Sequence, residues 1–226
     1  MRIFYIDHYD SFSFNLIDWI YSLDSQLEVK RIAFDCPSLE VDFLEKPGPI
    51  FLSPGPNSPA EAYTSCRLAK KYISIVPIFG ICLGHQILGH LAGFSISPSS
   101  TPEHGVVRNI KLQPCSFLYP IATAMTGKNT LYTGVYNSLT LTGEPDNSCW
   151  KITATSYTNE IQLIENFSNP LAPAIGMQFH PESFLTTSSS IIKDGVWSIL
   201  HQFASQQHAC SSTNWINPSV AGQAHN

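Results

Sequence analysis

Charge is scarce in this sequence: Lys, Arg, Asp and Glu make up 13% of 226 residues, and the formal net charge is -5 with no dense block of Lys or Arg. That excludes the basic footprint with which proteins grip nucleic acid or an anionic membrane, leaving small molecules and other proteins as the expected partners. Long apolar runs are missing too. Asp, Lys, Asn, Pro or Gly interrupts each hydrophobic stretch before it reaches the roughly 18 residues a membrane helix needs. The opening MRIFYIDHYD is broken by Asp7 and Asp10 before a secretory core forms. The six cysteines contain no C-x-x-C pair and no repeating spacing, which favours free thiols in a reducing compartment, by default the cytoplasm. A secreted protein with three bridges is the alternative, but a domain with 43% hydrophobic residues gains little from such staples.

What is present suits one compact core. A short apolar run, Arg2 to Ile6, precedes capping candidates Asp10 and Ser11 and then SFNLIDWIYSL, where Phe14, Leu16, Ile17, Ile20 and Leu23 recur at helical spacing. The alternation continues through EVKRIAF, PIFLSPGP, a helix from Glu61 to Ile73 and the buried run IVPIFG. Strands alternating with helices predict an α/β fold with a mostly parallel sheet covered on both faces. After Gly93 the texture becomes short β-rich pieces, VVRNIKLQ, SLTLTG, KITATSY and EIQLIE, which predict an antiparallel or mixed second half. The run AIGMQF leads to HPES and a helix from about Ser190 to Gln206, with Ile191, Ile192, Val196, Ile199, Leu200 and Phe203 on one stripe. Residues 1–206 are expected to form a single domain, and 207–226, rich in Ser, Asn, Gln, Gly and Ala, a disordered tail.

Two segments carry chemistry. Gly80, Cys82 and Gly84 form a G-x-C-x-G turn between an apolar strand and a helix start, the logic of a nucleophile elbow: the glycines permit close approach while the central side chain projects above the sheet. A helix amino terminus favours the thiolate that a sulfur nucleophile requires, and the N–H of Leu83 is placed to meet an oxyanion. Alone, the same turn also fits a small buried cysteine between packing glycines. A nucleophilic cysteine needs a base, and His180 follows an apolar strand with Glu182 two residues on, so both side chains project to one side of extended backbone. A solvated histidine before Pro181 would look the same in isolation. His85 and His90 are rivals, but both lie along the helix that Cys82 introduces. A metal site built on Cys82 and His85 lacks further ligands at sensible spacing.

Together, GICLGHQ (Gly80 to Gln86) and QFHPES (Gln178 to Ser183) resemble the class I, or triad, glutamine amidotransferases. IDHYDSFSFNL and SPGPNSP resemble more narrowly the glutaminase subunits of anthranilate synthase and aminodeoxychorismate synthase, and the match runs from Met1 to about Phe203. The resemblance implies a three-layer single-domain fold and hydrolysis of L-glutamine through a thioester on Cys82, with His180 as acid and base and Glu182 orienting it. It further implies oxyanion and glutamine contacts from Gly55, Pro56, Asn57, Leu83, Gln86, Ser138 and Leu139, and no cofactor in this chain. Ammonia would pass to a chorismate-binding synthase subunit. A free-standing γ-glutamyl hydrolase and a non-catalytic regulatory protein are the other readings. The chain departs from the family pattern in three places: Asn57 replaces a glycine, Val106 stands in the usual HGK as His104, Gly105, Val106, and Asn137 in the usual YHSL as Tyr136, Asn137, Ser138, Leu139. The last two departures bear on the identity of the partner and the coupling to it.

Overall fold

A computed structural model describes residues 1–37, 47–56 and 58–212, with only the backbone described for 208–212. In the first half, β1 (Arg2–Asp7), α1 (Ser13–Tyr21), β2 (Glu28–Ala33), β3 (Ile50–Leu52), α2 (Tyr63–Tyr72), β4 (Ile78–Ile81) and α3 (Leu83–Leu91) alternate as the sequence predicts. They are followed by β5 (Ser95–Pro98), β6 (Val106–Leu112), α4 (Tyr119–Thr126), β7 (Thr130–Val135), β8 (Leu139–Thr142), β9 (Trp150–Ser156), β10 (Ile161–Asn166), β11 (Ala174–Met177) and α5 (Ser189–Ser212). Nine strands form one sheet in the order β2-β1-β3-β4-β11-β10-β9-β6-β7, while β5 and β8 pair separately. The β2, β1, β3, β4 and β11 strands run parallel, and β10, β9, β6 and β7 continue the sheet antiparallel.

Period-two alternation in β1 splits the core into two layers. Ile3 and Tyr5 join Leu16 and Ile20 of α1 and Ile192, Val196 and Leu200 of α5 on one face. Phe4 and Ile6 join Leu68 and Ala69 of α2 and Ile87 and Leu88 of α3 on the other. All six apolar residues expected on the α5 stripe are buried. In α1 the stripe is shifted: Trp19 is buried, whereas Phe14 is 64% exposed, its ring lying 5.0 Å beneath the Arg31 guanidinium carbon. The capping expectation is also modified, because Asp10 accepts the Phe12 N–H at 2.8 Å and Ser13 donates to Asp7 at 2.6 Å.

Helix α5 continues six residues past Gln206, so the expected tail begins as helix; residues 213–226 and Asn57 lie outside the described residues. No helix among the described residues is long and apolar enough to cross a membrane. The consequence for function is positional. Strands β3, β4 and β11 lie side by side, so the segments leaving their carboxyl ends, SPGP, Cys82 and QFHPE, converge on one sheet edge, the usual place for a site in an open α/β sheet.

Candidate active site

Cys82 sits between β4 and α3 with φ +52° and ψ −101°, outside the regions that L residues ordinarily occupy. Its N–H is held by the Met177 carbonyl at 2.8 Å, and its carbonyl accepts the Gln86 N–H at 3.1 Å to begin the helix. The two flanking glycines are steric necessities. A Cβ on Gly80 would fall on the Gly84 carbonyl oxygen, and one on Gly84 on the Leu52 carbonyl oxygen. This packing forces the turn to be sharp and leaves the sulfur at the mouth of a helix whose first N–H groups, Leu83 included, have no intrahelical acceptor.

His180 faces the same opening from beyond β11. Its Nδ1 lies 2.7 Å from Glu182 Oε1, and the Glu182 side chain is fully buried behind the ring. Burial opposes the imidazolium, but the Glu182 charge, and after it Cys82, outweigh that penalty and raise the pKa of His180 well above its ordinary value. Nε2 forms no hydrogen bond of good geometry, so the effect of Cys82 is electrostatic proximity rather than a formed bond, as is common before a substrate draws such groups together. The His180 backbone is pinned on both sides: its N–H donates to Gly134 O at 3.0 Å, and Thr186 Oγ1 donates to its carbonyl at 2.5 Å. Phe12 and Tyr136 pack on the ring with centroids 5.2 and 4.9 Å away.

These groups border a cavity of about 390 Å³, large enough for an amino acid. Gly55, Pro56, Cys82, Gln86, Ser138, Leu139 and His180 line it as expected from the sequence. Leu83 instead is buried behind it, its side chain filling the space a Cβ on Gly55 would need. Asp10, Ser11, Phe12, His104, Tyr136 and Asn137 also line the cavity. All three of Asp10, Ser11 and Phe12 fall within IDHYDSFSFNL, but the first two read as helix-capping residues and the resemblance assigns Phe12 no role in the site.

Gln86 commits both amide hydrogens internally, to the Leu139 carbonyl at 3.3 Å and to Gln178 Oε1 at 3.4 Å. Asn137, where the resemblance expects histidine, donates to the same Leu139 carbonyl at 3.0 Å. It therefore stiffens the turn that carries Ser138. The rivals for the base are placed elsewhere: His90 is exposed, and His85 is completely buried, which pushes its pKa down to about 4.

Two buried networks hold the walls. His8 donates its backbone N–H to Ser53 Oγ at 2.8 Å, while its ring bridges Ser53 at 3.0 Å and Ser65 at 2.9 Å, fixing the base of the Ser53–Pro56 loop. Because Ser53 donates its own hydrogen to the Pro54 carbonyl at 2.6 Å, the ring hydrogen resides on Nδ1. Arg108, on β6, pairs with Glu160 and with Glu103 and reaches Thr101 Oγ1 at 3.0 Å. That segment meets the cavity wall through Ser99 N–H to Ser138 O at 2.8 Å and Glu103 N–H to Asn137 O at 3.3 Å. Among the described residues no cluster of three His, Cys, Asp or Glu side chains is placed to hold a metal ion.

The family model described as glutamine amidotransferase class-I matches residues 4–199. The chain is 36% identical over 188 residues to the aminodeoxychorismate/anthranilate synthase component 2 of Bacillus subtilis, covering 82% of this chain and 90% of that one. It is 35% identical over 187 residues to the aminodeoxychorismate synthase component 2 of Escherichia coli, covering 81% and 92%. Its fold is similar to a solved glutamine amidotransferase from Thermotoga maritima, with a TM-score of 0.67 at 16% identity over 90% of this chain and 97% of that one.

Proposed function

The chain belongs to the class I glutamine amidotransferases, and on that footing we propose that Cys82, His180 and Glu182 hydrolyse L-glutamine and supply the ammonia to a chorismate-utilising synthase subunit. The observation that carries the reading is the strained Cys82 turn opening, beside the His180–Glu182 pair, into a cavity of amino-acid size.

The sulfur of Cys82 attacks the side-chain amide carbon of glutamine. Negative charge then develops on the amide oxygen, where the N–H groups of Gly55 and Leu83 receive it. His180, held protonated by Glu182, gives its proton to the departing nitrogen, so the C–N bond breaks, ammonia leaves and a γ-glutamyl thioester remains. Water attacks that thioester, His180 takes the water's proton, and cleavage of the C–S bond releases glutamate and restores the sulfur. The balance is glutamine and water to glutamate and ammonia, and the route uses no metal or organic cofactor. Ser138, Leu139 and Gln86 hold the amino-acid end of the substrate. With its amide hydrogens spent internally, Gln86 offers glutamine only an acceptor.

Ammonia is volatile and dilutes quickly, so its consumer must dock over the cavity. The component 2 names of the relatives support a synthase partner, either the anthranilate-forming or the aminodeoxychorismate-forming one. Val106 is exposed two residues beyond the cavity-lining His104, and Phe184, 86% exposed, follows Ser183, which bonds the cavity-lining Tyr136 at 2.8 Å. Apolar groups in such positions suit a protein contact.

The test is Cys82→Ser in the reconstituted complex. Glutamine-dependent synthesis is expected to vanish while synthesis from added ammonia persists, because the partner's site does not need the thiol. Loss of both activities, or retention of both, would contradict this division of labour.

A further inference from the structure

Gln178 is a fully buried polar side chain immediately beyond β11, in a position where its amide meets the reactive sulfur: Nε2 lies 3.6 Å from Cys82 Sγ. Its backbone is fixed by an N–H to Gln162 O bond of 3.0 Å. The orientation of the amide follows from its other contact. Oε1 accepts from Gln86 Nε2 at 3.4 Å; rotating the amide by half a turn would set N–H against N–H at Gln86 and, at Cys82, oxygen against the charge of a thiolate. Gln86 in turn donates to the Leu139 carbonyl at 3.3 Å. One chain of hydrogen bonds therefore runs from the turn that carries Ser138 and Leu139, through two glutamines, to the nucleophile.

We propose that Gln178 is a further catalytic residue, its amide N–H donating to the Cys82 sulfur so as to stabilise the thiolate and aim it into the cavity. This rests on the reading of Cys82 as the nucleophile. The sulfur then has neighbours with distinct tasks: His180 exchanges protons, and Gln178, which cannot ionise, only solvates and orients. The relay also links substrate occupancy at Ser138–Leu139 to the sulfur, since a shift of the Leu139 carbonyl is passed through Gln86 to the Gln178 amide.

The experiment compares wild type, Gln178→Met and Gln178→Glu. Alkylation of Cys82 by iodoacetamide is followed by mass spectrometry of its peptide across pH, alongside steady-state kinetics with glutamine. Loss of a hydrogen bond to a charged group corresponds to roughly tenfold or more. At pH values below the wild-type midpoint Gln178→Met is expected to alkylate about tenfold more slowly, its pH–rate profile displaced upward by about one unit, and Gln178→Glu more slowly still. In both variants kcat falls while KM holds within about twofold. Variants with the wild-type unfolding midpoint and an unmoved alkylation profile would overturn the proposal, because a residue that merely packs does not move that profile.

If neither variant folds, the test passes to wild type: the Gln178 side-chain amide resonances are expected to shift as pH is varied and to stop doing so in Cys82→Ala. Identical behaviour in the two proteins would overturn it. A wild-type Cys82 that reacts no faster than the exposed Cys115 would remove the nucleophile reading itself, and this proposal with it.

Discussion

Glu182 Oε1 stands 2.7 Å from His180 Nδ1, two residues apart along the chain and both buried, with the rings of Phe12 and Tyr136 packed on the His180 ring. The pair is local in sequence, but a turn makes it rather than the extended backbone that the spacing predicts: the chain bends at Gln178 and Phe179 and turns through Pro181 and Glu182, where the Ser183 N–H donates to the His180 carbonyl at 3.2 Å. Its position opposite Cys82 is not local and depends on β11 lying against β4. The chemistry thus combines one short-range contact with one strand pairing.

Glu182→Gln removes the charge that keeps His180 protonated while leaving the ring buried. The ring's pKa then falls, since burial alone favours the neutral form. The expected result is a loss of roughly 10²–10⁴ in kcat with little change in KM, measured as glutamate release in the presence of the synthase subunit. A variant with unaltered kcat would show that the carboxylate has no part in the proton transfer.

Acid should weaken the fold between about pH 6.5 and pH 4. Burial pushes His8 and His85 down to about 4, below the ordinary 6.5, so across that window the unfolded chain binds protons at these sites that the folded chain refuses. Their contribution is complete above the upper limit and lost as pH falls, at about 3 kcal/mol each. Glu165, raised by burial, acts in the opposite sense and offsets part of the slope. The elevated His180 contributes fully below about 6.5 and loses that contribution as pH rises from there through its own higher value, so it does not add to the loss in acid. Urea denaturation at pH 7, 5.5 and 4.5 is expected to give falling stability; equal stability at all three would refute neutral burial of the two histidines.

Gly84→Ala would drive a Cβ into the Leu52 carbonyl. Relief requires α3 to retreat from β3, at a cost of about 2–3 kcal/mol, and carries Cys82 with it. A displacement of about 1 Å at a reacting atom costs on the order of 10² in rate. Denaturation and kinetics together should show a folded but weakened protein with at least that loss of kcat; wild-type kinetics would mean that the elbow tolerates a looser turn than its packing indicates.

The elbow was legible because its requirements are local: small residues on either side of Cys82 and an apolar strand before it. The parallel first half and antiparallel second half were legible from the change in texture after Gly93. Much of the cavity wall was not. Phe12 reaches His180 although β3 and β4 separate β1 from β11 in the sheet, and strand order has no signature in periodicity. Phe14 fits a helical stripe on spacing alone, yet the packing of α1 turns Trp19 inward instead. His104 and Tyr136 enter the cavity through the pairing of β6 with β7 and the Arg108 network, both long-range relationships.

Arg108→Leu leaves Glu160 buried without its partner, an arrangement that costs about 3–5 kcal/mol. It also frees the segment that carries His104 and backs Asn137, so KM for glutamine is expected to rise. The exposed Arg2–Glu28 pair serves as a control, where Arg2→Ala should cost less than about 1 kcal/mol. Chemical denaturation of both variants checks the contrast, and equal effects would deny the buried network its role.

The most direct measurement is glutamate release from glutamine by the purified chain and by Cys82→Ser, each alone and mixed with the large subunit of anthranilate synthase or of aminodeoxychorismate synthase, with chorismate present. The expected result is release that depends on Cys82 and rises strongly with one of the two subunits, which thereby names the partner. Release that survives Cys82→Ser, or no release under any of these conditions, would contradict the account; activity of the chain alone that neither subunit raises would mark a free-standing hydrolase.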